Sequence, residues 1–212
     1  MDTWPLANVY IFSNKTYAGA IMKILGISGS PRKEGNTEIL VREALKAAEE
    51  AGAEVEYLSV AGKTIKPCEA CDYCVAHKRC HHDDDADLFI EKMVAADGII
   101  MASPVYFGNV TGQVKSLIDR ERVMWRQGKT LADKVGASIA VGWKWGFFET
   151  LASLDAFFLI NKMVVVSNGG VPGLGLMVFS RDKGEVSTND EALQGARDLG
   201  VRVVETVKKM SG

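Results

Sequence analysis

Cysteine and histidine are scarce in this chain, and the few present are crowded together. The 212 residues include four cysteines, all between positions 68 and 80, and three histidines, all between 77 and 82. A disulfide-stapled extracellular domain would be short and would spread its cysteines along the chain, so that class is excluded. The crowding points instead to a reducing, cytoplasmic compartment and a metal site. Charge of one sign is also lacking. Lys and Arg number 25 against 27 Asp and Glu, a net charge of −2. There is no broad basic field to gather nucleic acid or an anionic membrane. No uncharged apolar run approaches the ~18–20 residues that span a bilayer. Met1-Asp2 is acidic and no continuous apolar segment follows it, so a secretory leader is not expected. The histidines are all confined to one block and no G-x-S-x-G elbow occurs, which excludes a hydrolytic constellation.

Apolar residues make up 47% of the chain and charged residues 25%, ordinary globular values that exclude disordered, collagenous and low-complexity classes. Residues 1–21 lack periodicity, and Met22 stands directly before a strong strand. The expectation is an N-terminal extension, or a native start at Met22, followed by one domain over 22–212. The apolar period then switches repeatedly. Strands are predicted at 23–28, 54–60, 98–103, 135–142 and 163–168. Helices are predicted at 37–51, 85–95, 112–122, 149–160 and 190–209. Asn36 reads as the N-cap of the first helix and Gly52 as its stop. Several strands are apolar throughout, the mark of strands buried on both faces in a parallel sheet covered by helices. The fold class is therefore α/β, a three-layer sandwich. The Gly-rich stretch 169–189 is the longest loop candidate, with room for a short hairpin.

Ligands of such sheets bind beyond the C-terminal ends of the strands, so the residues after each strand carry the functional reading. After the first come Ser28, Gly29, Ser30, Pro31, Arg32 and, through Gly35, Asn36 and Thr37, a helix start. Small hydroxyl residues, an Arg fork and unpaired helix N–H groups suit a phosphate. Neither a Walker A loop nor a G-x-G-x-x-G fingerprint is present. After the third strand, Pro104, Val105, Tyr106, Phe107 and Gly108 offer a stiff exit, flat apolar surface and a hydroxyl. These suit a planar heteroaromatic ring. After the fourth, Trp143, Trp145, Phe147 and Phe148 can serve as a plug, a subunit contact or a stacking platform.

Cys68, Cys71, Cys74 and Cys80 form a compact set with spacings x2, x2 and x5. Four thiolates can hold a [4Fe–4S] cluster or a tetrahedral zinc. His77, His81 and His82 keep a mixed zinc site open, and transiently redox-active thiols are a third possibility. The following Asp83, Asp84 and Asp85 read as a solvated helix N-terminus.

Three stretches together, GISGSPRKEGNT at 26–37, SPVYFGNVTGQVKSLIDR at 103–120 and the cysteine block between them, resemble the NADPH-dependent FMN reductase family of flavodoxin-like proteins, and most closely its iron–sulfur flavoprotein branch. The resemblance is strong from about Met22 to Arg120 and weaker beyond. It implies a flavodoxin-like five-stranded parallel sheet of order 2-1-3-4-5 and bound FMN. It implies a phosphate held by Ser28, Ser30, Arg32, Asn36 and Thr37, and a ring wrapped by Pro104, Val105, Tyr106, Phe107 and Gly108. For the cysteine loop, at about 66–84, it implies a [4Fe–4S] cluster on Cys68, Cys71, Cys74 and Cys80. The protein would then be an electron-transfer oxidoreductase that converts between one- and two-electron carriers. The implied donor is ferredoxin or NAD(P)H, and the implied acceptor dioxygen, peroxide or a quinone. The implied assembly is a homodimer or homotetramer in which flavin and cluster approach across subunits. The rivals are a cluster-free NAD(P)H-dependent FMN or quinone reductase and a zinc-stabilised flavin-binding module. The third loop departs from the family by its two Trp and two Phe, although Gly146, Glu149 and Thr150 are kept.

Overall fold

The computed structural model describes residues 21–168 and 174–210. Residues 1–20 of the expected extension and the first glycines of the 169–189 stretch lie outside the described residues. Strands β1 (Lys23–Ser28), β2 (Glu54–Ser59), β3 (Gly98–Pro104), β4 (Val135–Gly142), β5 (Val164–Val166) and β6 (Leu176–Phe179) form one sheet. Its order is β2-β1-β3-β4-β5, and every pairing is parallel. The order matches the expectation, and the fifth position holds a surprise. It is filled in two pieces: β5 pairs with Val135–Ala137 and β6 with Ile139–Gly142. β6 lies inside the stretch expected as a loop. Its four residues are too few for a period to show against the surrounding glycines.

The helices are α1 (Asn36–Glu50), α2 (Tyr73–His77), α3 (Ala86–Ala95), α4 (Gly112–Arg120), α5 (Arg122–Arg126), α6 (Phe147–Ile160) and α7 (Asp190–Met210), with a 3-10 turn at Glu185–Thr188. β4 is buried at every position and β3 at all but its last, as their unbroken apolar character requires. Alternate strand residues feed two cores. Ile24, Ile100, Ala137 and Ile139 meet α1 and α7, with Leu40, Val41, Leu199 and Val203. On the other face Leu25, Ile27, Ile99 and Met101 meet Phe89 and Met93 of α3, Leu117 of α4 and Phe157 of α6. α1 and α7 cross so closely that a β-carbon on Gly200 would run into the carbonyl oxygen of Ala44. No described helix is long and apolar enough to cross a membrane.

Two local expectations are corrected. Asn36 is not the N-cap of α1; Gly35 occupies that position and Asn36 is the first helical residue. Its side chain instead donates to Ser180 Oγ at 2.6 Å and to the Asp182 carbonyl at 2.8 Å. A partner more than 140 residues away therefore outcompetes the local cap. The predicted helix 112–122 breaks at Glu121, where α4 gives way to α5.

Candidate flavin cleft and cysteine pocket

The loops leaving β1, β3, β4 and β6 converge on one cleft. Its lining includes Ser30, Arg32, Asn36 and Thr37 from the first loop, Pro104, Val105 and Tyr106 from the second, and Trp143 from the third. Ser30 Oγ accepts from the Arg32 backbone N–H at 3.1 Å, which tightens the turn below the helix start. Gly35, Asn36 and Thr37 bring the α1 N-terminus, with its unpaired N–H groups, to the cleft wall. Buried Thr111 joins the first two loops. Its hydroxyl donates to the Gly29 carbonyl at 2.8 Å, and its N–H donates to Ser103 Oγ at 3.1 Å.

Ser28, expected among the phosphate residues, is not part of the cleft lining. It is fully enclosed at the end of β1, where the strand's alternation turns its side chain into the core rather than out to the loop. In the second loop Tyr106 and Asn109 face each other across a two-residue turn. Both central residues have positive φ, 49° at Phe107 and 82° at Gly108, as a type I′ turn demands. Phe107 stands at its tip, 99% exposed, with its edge toward the Trp145 ring. Neither Phe107 nor Gly108 lines the cleft.

The third loop divides its aromatics between two tasks. Phe147 is buried and acts as the plug, whereas Trp143, Trp145 and Phe148 are exposed. Gly146, at φ 88°, presses onto the second loop so closely that a β-carbon there would lie 2.6 Å from Gly108 Cα. Lys144 Nζ and the Arg181 guanidinium lie 3.9 Å and 4.5 Å from the Trp143 ring centroid. Arg181 and Lys183, which join Arg32 in the cleft lining, were not anticipated. They follow a strand that was itself hidden, although basic residues after an apolar run were the available signal.

All four cysteines line a second pocket, together with His81, His82, Arg120 and Arg122. Each is a free thiol; Cys74 is buried and Cys68 and Cys71 are exposed. The short helix α2 carries Cys74 inward, flanked by Asp72 and Lys78 in left-handed conformation. The base of this loop is clamped to α4 by an ion pair with both side chains 1% exposed. Arg120 donates to Asp84 through both terminal nitrogens, at 2.8 and 3.1 Å, and to the Lys66 carbonyl at 3.1 Å. Burial would raise the Asp84 carboxyl, but the Arg120 fork and the Lys66 and Ala86 N–H groups outweigh it and hold it below the ordinary carboxylate value. The reading of the acidic run as solvated is thus wrong for Asp84. A charge run reads as surface until its buried partner is known.

The donor set fits a thiolate-bound group. Arg120 Nε is buried without a hydrogen-bond partner; burial opposes its charge, but the Asp84 hydrogen bond and, after it, the neighbouring Cys80 favour the cationic form. Cys74 and Cys68 do the same for Arg122, after its hydrogen bond to Asp72. Beyond this pocket, burial pushes the Glu121 carboxyl up to about 7, against a hydrogen bond from Asn161 Nδ2 at 2.9 Å.

A doubly wound parallel sheet with an anion-suited helix start and an aromatic second loop defines a flavodoxin-like flavin protein. The profile of the NADPH-dependent FMN reductase family matches residues 22–173. An iron–sulfur flavoprotein of Methanocaldococcus jannaschii is 45% identical over 190 residues, 88% of this chain and 98% of that protein. One from Archaeoglobus fulgidus is 39% identical, with 89% and 99% covered. Among solved structures, a flavone reductase superposes with a TM-score of 0.67 at 26% identity, covering 88% of this chain and 63% of that one. An archaeal flavodoxin, at 0.60 and 16% identity over 88% of this chain and 99% of its own, shares the fold. The chain belongs to the NADPH-dependent FMN reductase family, in its iron–sulfur flavoprotein branch, and is a flavin-dependent oxidoreductase.

Proposed function

We propose that the protein carries FMN in the cleft and a [4Fe–4S] cluster in the cysteine pocket, and converts between one- and two-electron carriers. The observation that carries this reading is the convergence of all four cysteines on one pocket beside buried Arg120. The archaeal relatives, iron–sulfur flavoproteins by name, support it. Bound FMN exchanges electrons in pairs or singly, and a [4Fe–4S] cluster exchanges them singly.

The chain's own residues do the rest. Arg32 and the α1 N-terminus bind the phosphate, with Ser30, Asn36 and Thr37 around them. Pro104, Val105 and Tyr106 would seat the ring, and buried Phe147 packs under the third loop against Ala140 and Leu151. Cys68, Cys71, Cys74 and Cys80 ligate the iron, and Arg120 and Arg122 offset the negative charge of the thiolates. The flavin domain spans 22–212, with the cluster loop at about 66–84. The donor is ferredoxin or NAD(P)H and the acceptor dioxygen, peroxide or a quinone, in a cytoplasmic homodimer or homotetramer. α4 starts at the junction of the first two loops and ends at the cysteine pocket, a run of about 13 Å at 1.5 Å per residue.

The cluster-free reductase keeps one observation in its favour. A relative from Acidithiobacillus ferrooxidans named NAD(P)H dehydrogenase (quinone) is 32% identical over 55% of this chain. Anaerobic purification with iron, sulfide and flavin analysis separates the readings. About four iron and four sulfide with one FMN per chain are expected. Flavin with zinc, or with no metal, overturns the proposal, and rapid reduction of such a protein by NADPH identifies the plain reductase.

A further inference from the structure

The two ends of the cysteine block bring together a second set of donors that the four thiolates do not use. Glu69 follows Cys68, and His81 and His82 follow Cys80. One ligand atom from each of the three lies within 4.8 Å of the others. Glu69 Oε2 is 3.3 Å from His81 Nε2, and Glu69 Oε1 is 3.6 Å from His82 Nε2. Two ligands held at ~2.0–2.2 Å on one tetrahedral ion stand about 3.3 Å apart. Each Glu69–His distance, one to each carboxylate oxygen, is close to that value, and a small inward movement would bring all three ligand atoms to it.

His82 supplies the independent observation. Its side chain is 7% exposed, and its Nε2 is buried with no hydrogen-bond partner. A buried polar atom without a partner costs free energy that native structures ordinarily avoid. A simple ion pair would draw one imidazole to hydrogen-bond distance, below about 3.2 Å. Here the carboxylate instead divides its two oxygens between two imidazoles and reaches that distance with neither.

We propose that Glu69, His81 and His82 form a mononuclear site for a divalent cation of the zinc class, distinct from the cysteine ligands. Two imidazoles and one carboxylate suit a borderline ion rather than magnesium or calcium, which take oxygen donors. Three protein ligands leave a coordination position for water or another small oxygen ligand. No cysteine is among its ligands, but Glu69, His81 and His82 line the same pocket as the four cysteines, so the site goes beyond the FMN and cluster reading while resting on that reading for the occupation of the thiolates.

The test uses Co²⁺ as the probe, added to the full chain with its flavin and reconstituted iron and sulfide in place. The expected result is one Co²⁺ per chain by metal analysis, with a weak d–d spectrum and no thiolate-to-cobalt charge transfer. Iron and sulfide should stay constant throughout. Glu69→Gln and His81→Ala, changes at exposed positions, should each weaken Co²⁺ binding at least tenfold while leaving iron and flavin content unchanged. His82→Asn should do the same if the fold tolerates it. Thiolate charge transfer, loss of iron on titration, no Co²⁺ uptake, or parental affinity in the Glu69→Gln and His81→Ala variants would each overturn the proposal. Low iron before any cobalt is added would count against the cluster alone. The uncommitted thiolates would then take Co²⁺ themselves, so the Glu69→Gln and His81→Ala comparison, not the charge-transfer band, would decide the new site in that case.

Discussion

Glu121→Gln tests the electrostatics of the α4–α5 junction directly. Glu121 is 5% exposed and accepts a hydrogen bond from Asn161 Nδ2, and the Trp125 side chain also favours its charged form. Burial raises its pKa from 4.5 to about 7. Between those values the folded chain holds a proton that the unfolded chain has released, so stability falls as pH rises through the window. A carboxyl that ionises near pH 7 rather than 4.5 destabilises the fold at alkaline pH by about 3 kcal/mol. Glutamine keeps a carbonyl oxygen for Asn161 and cannot ionise. The variant should match the parent in urea unfolding near pH 4.5 and exceed it by about 2–3 kcal/mol near pH 8.5. Equal differences at both pH values would refute the reasoning, because a packing change is blind to pH. A variant less stable than the parent at pH 8.5 would show that the charged carboxylate has a partner the geometry does not reveal.

Three further outcomes are expected. Arg32→Gln removes the charged fork from the phosphate cradle and should weaken FMN binding roughly tenfold to a hundredfold by fluorescence titration, with little change in unfolding midpoint. Asp84→Asn leaves Arg120 buried without its counter-charge and should cost about 3–5 kcal/mol in chemical denaturation, with lower iron content per chain. Because the Asp84 pKa is held low, its contribution is present above the ordinary carboxylate pKa and lost as pH falls through the lowered value; the variant should lack that acid-side loss. Gly146→Ala places a side chain at φ 88° against Gly108 Cα, so about 1–3 kcal/mol of stability and part of the flavin affinity should be lost, measured by thermal unfolding and FMN titration.

How far the residues alone reveal this molecule depends on whether the deciding partner is near in sequence. β3 and β4 are legible because burial on both faces leaves unbroken apolar runs, and the sheet order follows from the family motifs. The cleft loops are legible because the small, basic and aromatic residues sit directly after those strands. Asn36 misleads because its partners, Ser180 and Asp182, follow a strand of four residues buried in a Gly-rich stretch. Asp84 misleads because a run of three aspartates looks solvated, and only the fold brings Arg120 to the middle one. Ser28, at the end of β1, is enclosed and does not line the cleft. The Asn36 and Asp84 errors are local rules overruled by long-range contacts.

The Asp84–Arg120 pair explains why the two halves of the site belong to one structural unit. A buried ion pair is weak evidence for stability, since well-packed apolar residues often serve as well. What apolar residues could not supply is the second use of the guanidinium. Two of its nitrogens are committed to Asp84 and to the Lys66 carbonyl, and its positive charge faces Cys80. The same residue is the last of α4, whose N-cap Thr111 is tied through Gly29 to the first cleft loop. A displacement of α4 is therefore felt at both ends, as a shift of the first two cleft loops against each other and as a change in the charge beside the cysteines. A short, rigid helix anchored in this way fixes the relative position of cleft and cysteine pocket. A hydrophobic replacement of the pair would keep the fold and give up that electrostatic coupling.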